Sequence, residues 1–329
     1  MIAFAGIGRQ LYRRKRNFKY PKTDLLGEFA RGAAIIPTAR LRREVAAVAG
    51  RRVAVATHGY DYDPFARGKD DPHEHLLAEP GAARGRDRGG RGVSLLDILV
   101  PAGFARDAIV TFAWRAKASL LESSAKGYSQ SYEYMVSDRT VRVARSFAAV
   151  ILALAESGTE RITLVAHSMG TRIVAQALLL LPEAAPPPID MVLFLGGSEY
   201  LPEAEAAAAT TATFINIANR SDWVLDDFAE RFGGRLFGRS AQVIGHNGLT
   251  GLANWHDIQL DRKRVVKWGE ANGYDLSADG PERNEEHWGY YAHPGNHKLY
   301  IDLLSGRRTI ADLVAEKGLP VGVTVPFVD

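Results

Sequence analysis

Short apolar runs rich in β-branched residues alternate with helical patterns along most of the chain. The apolar runs predict strands at 52–57, 108–114, 161–166, 190–195 and 213–218, with a weaker sixth at 241–245. Apolar residues at three- and four-residue spacing predict a helix over 138–157, and a second helix over 171–181 ends before Pro182. Continuous apolar strands that alternate with helices predict an α/β fold whose mostly parallel sheet is covered by helices on both faces.

Two segments interrupt this alternation. Residues 61–93 are polar and charged and end in a glycine- and arginine-rich stretch, which predicts a mobile loop. Residues 246–290 are irregular and rich in Trp, His, Asn and Gly, which predicts surface loops near a site. The interval 196–212 is too short for a large inserted cap domain, and no Pro/Ser-rich linker divides the chain. We therefore expect a single domain over 51–329, preceded by an extension over 1–50.

Charge is distributed unevenly along the chain. The net charge is +3, but residues 1–52 carry 13 Lys/Arg and 3 Asp/Glu, so the remainder has a net charge of −7. Residues 9–22 contain seven basic residues and no acidic one, which favours a solvated basic arm, followed by a helical extension to residue 50. Contact of 9–22 with an anionic surface is the alternative for this arm. Because the body is acidic, we expect no nucleic-acid partner.

The chain contains no cysteine, which excludes disulfides, thiolate zinc sites and a cysteine nucleophile. No apolar run approaches the ~20 residues of a membrane helix, and the N-terminus lacks the charge-first order of a signal peptide, so we expect a cytoplasmic protein. His73 and His75 with nearby acids could ligate a metal, but a polar loop favours a solvated surface there. We expect neither a metal nor a cofactor.

The strongest chemical motif is Ala-His-Ser-Met-Gly at 166–170, between a predicted strand and a predicted helix. This is the context of a nucleophile elbow, in which a sharp turn exposes the serine hydroxyl and small flanking residues such as Gly170 allow the strand and helix to pass closely. Ser168 is then the candidate nucleophile. The alternative is an ordinary serine N-cap.

An elbow serine needs an acid and a histidine, in that order along the chain. Asp222 follows the strand predicted at 213–218. It therefore lies at the carboxyl ends of the strands, where active sites of α/β sheets are found. Its alternative role is to cap the helix that begins near Trp223. His287 precedes the last helical stretches and is the preferred general base, and His293 is the alternative base. His167, next to the serine, is expected to serve packing.

An oxyanion hole needs two backbone amides. The amide of Met169, the residue after the nucleophile, is the first candidate. His58 and Gly59 follow the first predicted strand, and Gly59 allows the backbone to approach a carbonyl, so that the amide of Tyr60 is the second candidate. A simple tight turn is the alternative at 58–60.

Together these motifs resemble the α/β-hydrolase superfamily, and within it a group of largely uncharacterised bacterial serine hydrolases. The resemblance spans 50–306 and rests on His-Gly-Tyr at 58–60, Trp114, the elbow at 166–170, Asn-Arg-Ser-Asp-Trp-Val-Leu at 219–225 and His-Trp-Gly-Tyr-Tyr at 287–291. Arg115-Ala116 replaces the Pro-Ser that follows the tryptophan in this group. The resemblance implies an α/β-hydrolase fold and a serine-esterase mechanism.

The sequence thus predicts a serine hydrolase acting on an ester-like bond of a small-molecule acyl substrate. The aromatic residues Trp255, Trp268, Trp288 and Tyr290 are expected to supply an apolar acyl pocket. An amidase or acyltransferase would use the same three residues, and a catalytically silent binding module would keep only the fold. The oligomeric state is left open.

Overall fold

A computed structural model describes residues 1–7, 10–13, 35–83, 92–125, 127, 131–210, 212–231, 241–279 and 286–323. In this part of the chain, eight strands form a single sheet in the order β2-β1-β4-β3-β5-β6-β7-β8. The strands are β1 Ile2–Ile7, β2 Gln10–Arg13, β3 Arg52–Thr57, β4 Ile109–Trp114, β5 Arg161–His167, β6 Ile189–Leu195, β7 Thr213–Ala218 and β8 Trp255–Gln259. All neighbours pair in parallel except β1 and β2, which pair antiparallel.

The described helices connect and cover these strands. They are α1 Ala39–Val45, α2 Leu96–Leu99, α3 Leu120–Ala125, α4 Ser131–Tyr134, α5 Thr140–Glu156, α6 Gly170–Leu178, α7 Leu201–Ala207, α8 Ile244–Asn247, α9 Lys263–Asn272, α10 Glu286–Ala292, α11 Pro294–Leu304 and α12 Ile310–Ala315. Short π-helical turns span Met135–Arg139 and Leu225–Glu230.

Side chains alternate between two apolar cores, one on each face of the sheet. Val53 and Val55 of β3 belong to the core that includes residues of α1, α5 and α6, whereas Ala54 and Ala56 belong to the core that includes residues of α9, α11 and α12. This alternation follows from the two-residue period of a strand. The predicted α/β fold, with a mostly parallel sheet and helices on both faces, is confirmed. The short interval between β6 and β7 holds α7 and no large cap.

The end of the sheet differs from the prediction. The strand predicted at 241–245 is wrong, because Val243 makes only an isolated bridge to Tyr200 and α8 begins at Ile244. The outermost strand at this end of the sheet is instead β8, whose Trp255 is in register with Phe214 of β7. The description of 246–290 as loops is therefore wrong as well, since this segment contains both β8 and α9.

The start of the chain contributes to the sheet. Phe4 of β1 is fully buried and in register with Phe112 of β4, and β2 continues the sheet beyond β1. The sequence analysis placed β1 in an extension before the domain and β2 in the basic arm, and it missed both strands. Residue 9 and residues 14–34, which hold the rest of the predicted basic arm and the first part of the predicted helical extension, lie outside the described residues.

The expectation of a mobile loop at 61–93 is wrong for the part that the structure describes. Leu76 and Leu77 are buried in the core that contains α9 and α11. The Ser94 hydroxyl is 2.8 Å from the carbonyl of Ala78 and 3.1 Å from that of Leu76, so it fixes the backbone there. The polar composition of 61–93 gave no indication that Leu76 and Leu77 would be buried in the core. Residues 84–91 lie outside the described residues.

Candidate active site

Ser168 lies on the sharp turn between β5 and α6. Its φ is 53°, in the left-handed region that L-residues other than glycine rarely adopt. Its amide donates to the carbonyl of Leu195 at the end of β6, and its own carbonyl accepts from the amide and the hydroxyl of Thr171. The turn is therefore held on both sides, and the strand-turn-helix context predicted for an elbow is present.

Two glycines allow this turn to pack closely against the loop after β3. A Cβ at Gly59 would lie 2.5 Å from the Cβ of Ser168, and a Cβ at Gly170 would lie 2.6 Å from the carbonyl oxygen of His58. Real Cβ atoms essentially never approach other atoms this closely. Both positions require the absence of a side chain, as the sequence reasoning expected for residues around the elbow.

Ser168, His287 and Asp222 form one buried hydrogen-bonded chain. His287 Nε2 lies 2.8 Å from Ser168 Oγ, and His287 Nδ1 lies 2.7 Å from Asp222 Oδ2. Since a carboxylate only accepts, Nδ1 carries the proton and Nε2 is left as the acceptor for the serine hydroxyl. The structure thus brings together the three residues that the sequence singled out, from the ends of β5 and β7 and from α10.

Asp222 is fully buried and has further donors. Its Oδ1 accepts from the amides of Val224 at 3.0 Å and Leu225 at 3.3 Å, and its Oδ2 also accepts from the Tyr290 hydroxyl at 2.9 Å. Burial tends to raise the pKa of Asp222, but the interaction with His287 and these hydrogen bonds outweigh it and hold the pKa below its usual range. Asp222 therefore makes the contacts of both roles weighed from the sequence, since its Oδ1 caps a helical turn and its Oδ2 is hydrogen-bonded to His287.

His167 has the packing role that was expected of it. Its Nε2 donates to the backbone carbonyl of His287 over 2.9 Å, and its ring packs edge-on against Tyr291. Burial, followed by the proximity of His287, lowers the pKa of His167 to about 3. The neutral imidazole supports the backbone from which His287 projects.

His58 organises the loop that faces the elbow. The Trp114 amide donates to His58 Nε2 at 2.9 Å, so Nδ1 carries the proton and donates to the Gly59 carbonyl at 2.8 Å. In a trans peptide the carbonyl and the following N–H point in opposite directions, so this bond also fixes the direction of the Tyr60 amide. Within the described part of the chain, the amides of Tyr60 and Met169 donate to no backbone carbonyl.

A cavity of about 370 Å³ opens above Ser168. Tyr60 and Met169 line it beside Ser168 and His287, and its walls are largely aromatic and aliphatic. The remaining lining residues are Asp61, Tyr62, Asp70, Lys117, Tyr132, His167, Ser198, Trp223, Val224, Leu225, Ala229 and Trp288. Lys117 Nζ lies 3.6 Å from Asp61 and 3.3 Å from Asp70, which makes one side of the cavity polar.

The expected acyl pocket is only partly correct. Trp288 lines the cavity, but Trp255 packs on Phe214 in the core and Trp268 stacks on Tyr274 away from it. Trp223, which the sequence reasoning did not place in the pocket, lines it instead. Its position directly after Asp222 was the available signal.

The alternative base and the metal motif are not part of this arrangement. The His293 backbone precedes α11, and the hydrogen bonds of His293 are backbone bonds to Gly289 and Asn296. His73 and His75 are buried rather than solvated, which corrects the expectation for that motif. No cluster of three metal-ligating side chains occurs among the residues that the structure describes.

The Arg115-Ala116 turn, which departs from the pattern of the resemblance, still braces the loop after β3. Ala116 accepts from the Asp61 amide at 3.1 Å and donates to the Tyr62 carbonyl at 2.7 Å. Arg115 pairs with Asp63. The backbone contacts of this turn do not depend on the missing Pro-Ser side chains.

A family model described as the alpha/beta hydrolase fold matches residues 117–288, slightly more than half of the chain. The chain belongs to this family. A second model, described as an alpha/beta hydrolase of unknown function, matches residues 36–192 of this α/β hydrolase. No curated protein matches the chain.

The α/β hydrolase is also similar to a solved structure. This is the crystal structure of LpqC, a poly(3-hydroxybutyrate) depolymerase from Bordetella parapertussis, with a TM-score of 0.36 and 15% identity over 80% of this chain and 82% of that one. In addition, no helix in the described ranges is long and apolar enough to cross a membrane.

Proposed function

We propose that this α/β hydrolase is a serine hydrolase that cleaves an ester-like acyl bond through an acyl-enzyme intermediate. The observation that carries the proposal is the buried hydrogen-bonded chain Ser168–His287–Asp222, whose serine end lies in the cavity. Nucleophile, base and orienting acid within hydrogen-bond reach are the geometry that acyl transfer by serine requires.

The first half of the reaction forms the acyl-enzyme. Ser168 Oγ attacks the substrate carbonyl carbon while His287 Nε2 takes the hydroxyl proton, and the negative charge on the carbonyl oxygen is stabilised by the amides of Tyr60 and Met169. The tetrahedral intermediate then collapses. The bond to the leaving oxygen breaks, and His287 returns the proton to that oxygen, which releases the alcohol.

The second half removes the acyl group by water. His287 takes a proton from the attacking water as its oxygen bonds to the acyl carbon, and the proton passes to Ser168 Oγ as the acyl-oxygen bond breaks. Asp222 remains ionised throughout and holds the imidazolium that forms in each half. The free acid leaves, and Ser168 and His287 return to their initial protonation states.

The cavity supports an uncharged acyl group as the substrate portion. Trp223, Leu225, Ala229 and Trp288 provide apolar contact area, which favours burial of a hydrocarbon chain. The Lys117 ammonium is already bracketed by Asp61 and Asp70, so the polar side has no excess positive charge for an anionic substrate. We therefore expect neutral esters to be preferred over anionic ones.

A fluorophosphonate probe tests the nucleophile. The wild-type protein is expected to be labelled at Ser168 and to hydrolyse short-chain nitrophenyl esters, and Ser168→Ala is expected to lose both. His287→Ala should lower ester turnover by at least about 10³-fold, because the base is lost. The matched control is His293→Ala, a nearby histidine outside the chain of hydrogen bonds, which should stay within about threefold of wild type.

Four results would contradict parts of this proposal. Absence of labelling together with ester turnover no higher than in Ser168→Ala would indicate a silent binding module. Loss of turnover in His293→Ala with turnover kept in His287→Ala would reassign the base. Labelling with faster cleavage of matched nitroanilides than of nitrophenyl esters would indicate an amidase, and ester consumption that releases acylated added alcohol rather than free acid would indicate an acyltransferase.

A further inference from the structure

Tyr290 makes a contact with Asp222 that the proposed reaction does not use. Its hydroxyl lies 2.9 Å from Asp222 Oδ2, the same oxygen that lies 2.7 Å from His287 Nδ1. His287 and Tyr290 are three residues apart on α10, so they lie on the same face of the helix. One helix therefore directs two donors at one carboxylate oxygen.

These contacts saturate the carboxylate of Asp222. A carboxylate offers about four acceptor positions, two on each oxygen. The amides of Val224 and Leu225 occupy Oδ1, and His287 and Tyr290 occupy Oδ2. Burial, then the charge of Asp222, raises the pKa of the Tyr290 hydroxyl well above its ordinary value, so this group keeps its proton and acts as a donor.

The position of the Tyr290 ring is fixed by the surrounding backbone. Gly196, at the end of β6, has a φ of 55°, and a Cβ there would overlap the Tyr290 ring. The ring also stands edge-on to the His287 imidazole, with an interplanar angle of 89°. Tyr290 is 1% exposed, so water does not reach its hydroxyl while the ring stays between Gly196 and His287. The hydroxyl therefore keeps Asp222 as its hydrogen-bond partner.

We propose that Tyr290 is a positioning residue that sets how strongly Asp222 holds the His287 imidazolium. This proposal rests on the proposed function. A hydrogen bond from Tyr290 draws negative charge from Oδ2, so less remains to stabilise a proton on the imidazole. Loss of that donor leaves a more strongly negative carboxylate beside His287, and the base then stays protonated, and inactive, up to a higher pH.

The test uses Tyr290→Phe, which keeps the ring and removes the hydroxyl. The rate of fluorophosphonate labelling of Ser168 is measured from about pH 5 to about pH 9, which reports the free enzyme's ionisations without a known substrate. We expect the acidic limb to move to higher pH by about one unit, the scale of one charge-assisted hydrogen bond. On that limb labelling should be about tenfold slower than in wild type, and on the plateau it should differ by less than about threefold.

Tyr300→Phe is the matched control. Tyr300 is also fully buried in the same core, and its hydroxyl has no hydrogen-bond partner among the described residues. Its loss should leave the pH profile unchanged. Thermal unfolding of both variants shows whether either substitution has damaged the fold rather than the site.

A substitution in the opposite direction keeps the proposal testable if Tyr290→Phe does not fold. Site-specific replacement of Tyr290 by 3-fluorotyrosine gives a more acidic and stronger donor, and the acidic limb should then move to lower pH. The proposal is overturned if the limb stays at its wild-type position in either folded variant, or if Tyr290→Phe lowers the rate by the same factor at every pH. Failure of wild-type protein to label at any pH is a separate result, which would overturn the proposed function and this proposal with it.

Discussion

Ser168 adopts a backbone conformation that is unfavourable in isolation. A non-glycine residue in the left-handed region costs on the order of 1–3 kcal/mol and persists only where its surroundings impose it. Here the amide of Ser168 is bonded to Leu195 and its carbonyl to Thr171, so the neighbouring strand and the following helix together impose the turn. The strain is balanced by contacts that also aim the hydroxyl at His287.

Gly59 is a position where a single added methyl group should disturb the nucleophile. Gly59→Ala would place a methyl group 2.5 Å from the Cβ of Ser168, and neither backbone can move without shifting the other. Since a displacement of about 1 Å at a reacting group can cost about 10²-fold, we expect fluorophosphonate labelling of Ser168 to slow by about 100-fold. The comparison is Gly318→Ala, where a Cβ meets open space and only the backbone conformation is strained. Equal labelling rates per folded molecule in the two variants would contradict the expectation.

The elements that the sequence predicted well share one property, which is burial on both faces. Strands such as Arg161–His167 and Thr213–Ala218 are continuous apolar runs. Ser168, Asp222 and His287 could be predicted because nucleophile, acid and histidine follow in this order along the chain of an α/β hydrolase. The outer strand Trp255–Gln259 was missed because His256, Asp257 and Gln259 make it look polar. Asp257 is buried there only because Asn216, Trp255 and Leu249 donate to its carboxylate, a pairing that sequence periodicity does not reveal. For the same reason, the contact between Tyr290 and Asp222 could not be predicted. The sequence shows only that Tyr290 follows His287 by three residues, and this spacing does not indicate a shared partner.

The helix that follows the elbow is joined to the end of β6 by a buried ion pair. Arg172 of α6 donates to Glu199, and Glu199 also accepts from Gln176 at 3.1 Å and from the Tyr200 amide at 2.9 Å. Both charged side chains are at most 5% exposed. Burial raises the pKa of Glu199, and the Arg172 guanidinium opposes that rise, so the carboxylate depends on its partner.

Removing one partner of this pair should therefore cost more than removing both. We expect Arg172→Met to lower the free energy of unfolding by about 3–5 kcal/mol, because Glu199 is left as an uncompensated buried charge, and the double variant Arg172→Met/Glu199→Leu to recover most of that loss. Urea unfolding of both single variants and the double variant measures the coupling. The exposed pair Arg42–Glu156, 2.5 Å apart between α1 and α5, is the control, and Arg42→Met should cost less than about 1 kcal/mol. Similar losses at the two arginines would contradict this account.

At the scale of the whole molecule, the first strand covers the edge of β4 and carries β2, the last strand on that side of the sheet. β1 lies beside β4, and Ile2 and Phe4 share a core with Val110 and Phe112. Without β1, the apolar strand β4 would become an exposed edge with unpaired amides and carbonyls, which promotes association with other chains. A basic arm outside the fold could be removed at no cost to stability, whereas a strand in this position cannot.

Two changes at the start of the chain separate these views. Phe4→Ala should lower the free energy of unfolding by about 3–5 kcal/mol, because it empties a fully buried site in the core, and deletion of residues 1–13 should give protein that associates in size-exclusion chromatography. Val321→Ala, an apolar truncation at a side chain that is 38% exposed, should change stability by less than about 0.5 kcal/mol. If Phe4→Ala were as mild as Val321→Ala in urea unfolding, and the deletion remained monodisperse, β1 would contribute little to the fold. A much larger stability loss in Phe4→Ala than in Val321→Ala would make the first strand part of the domain that positions Ser168. β1 is connected to the nucleophile through the sheet, because β4 pairs with β3, and β3 pairs with β5, which ends next to Ser168.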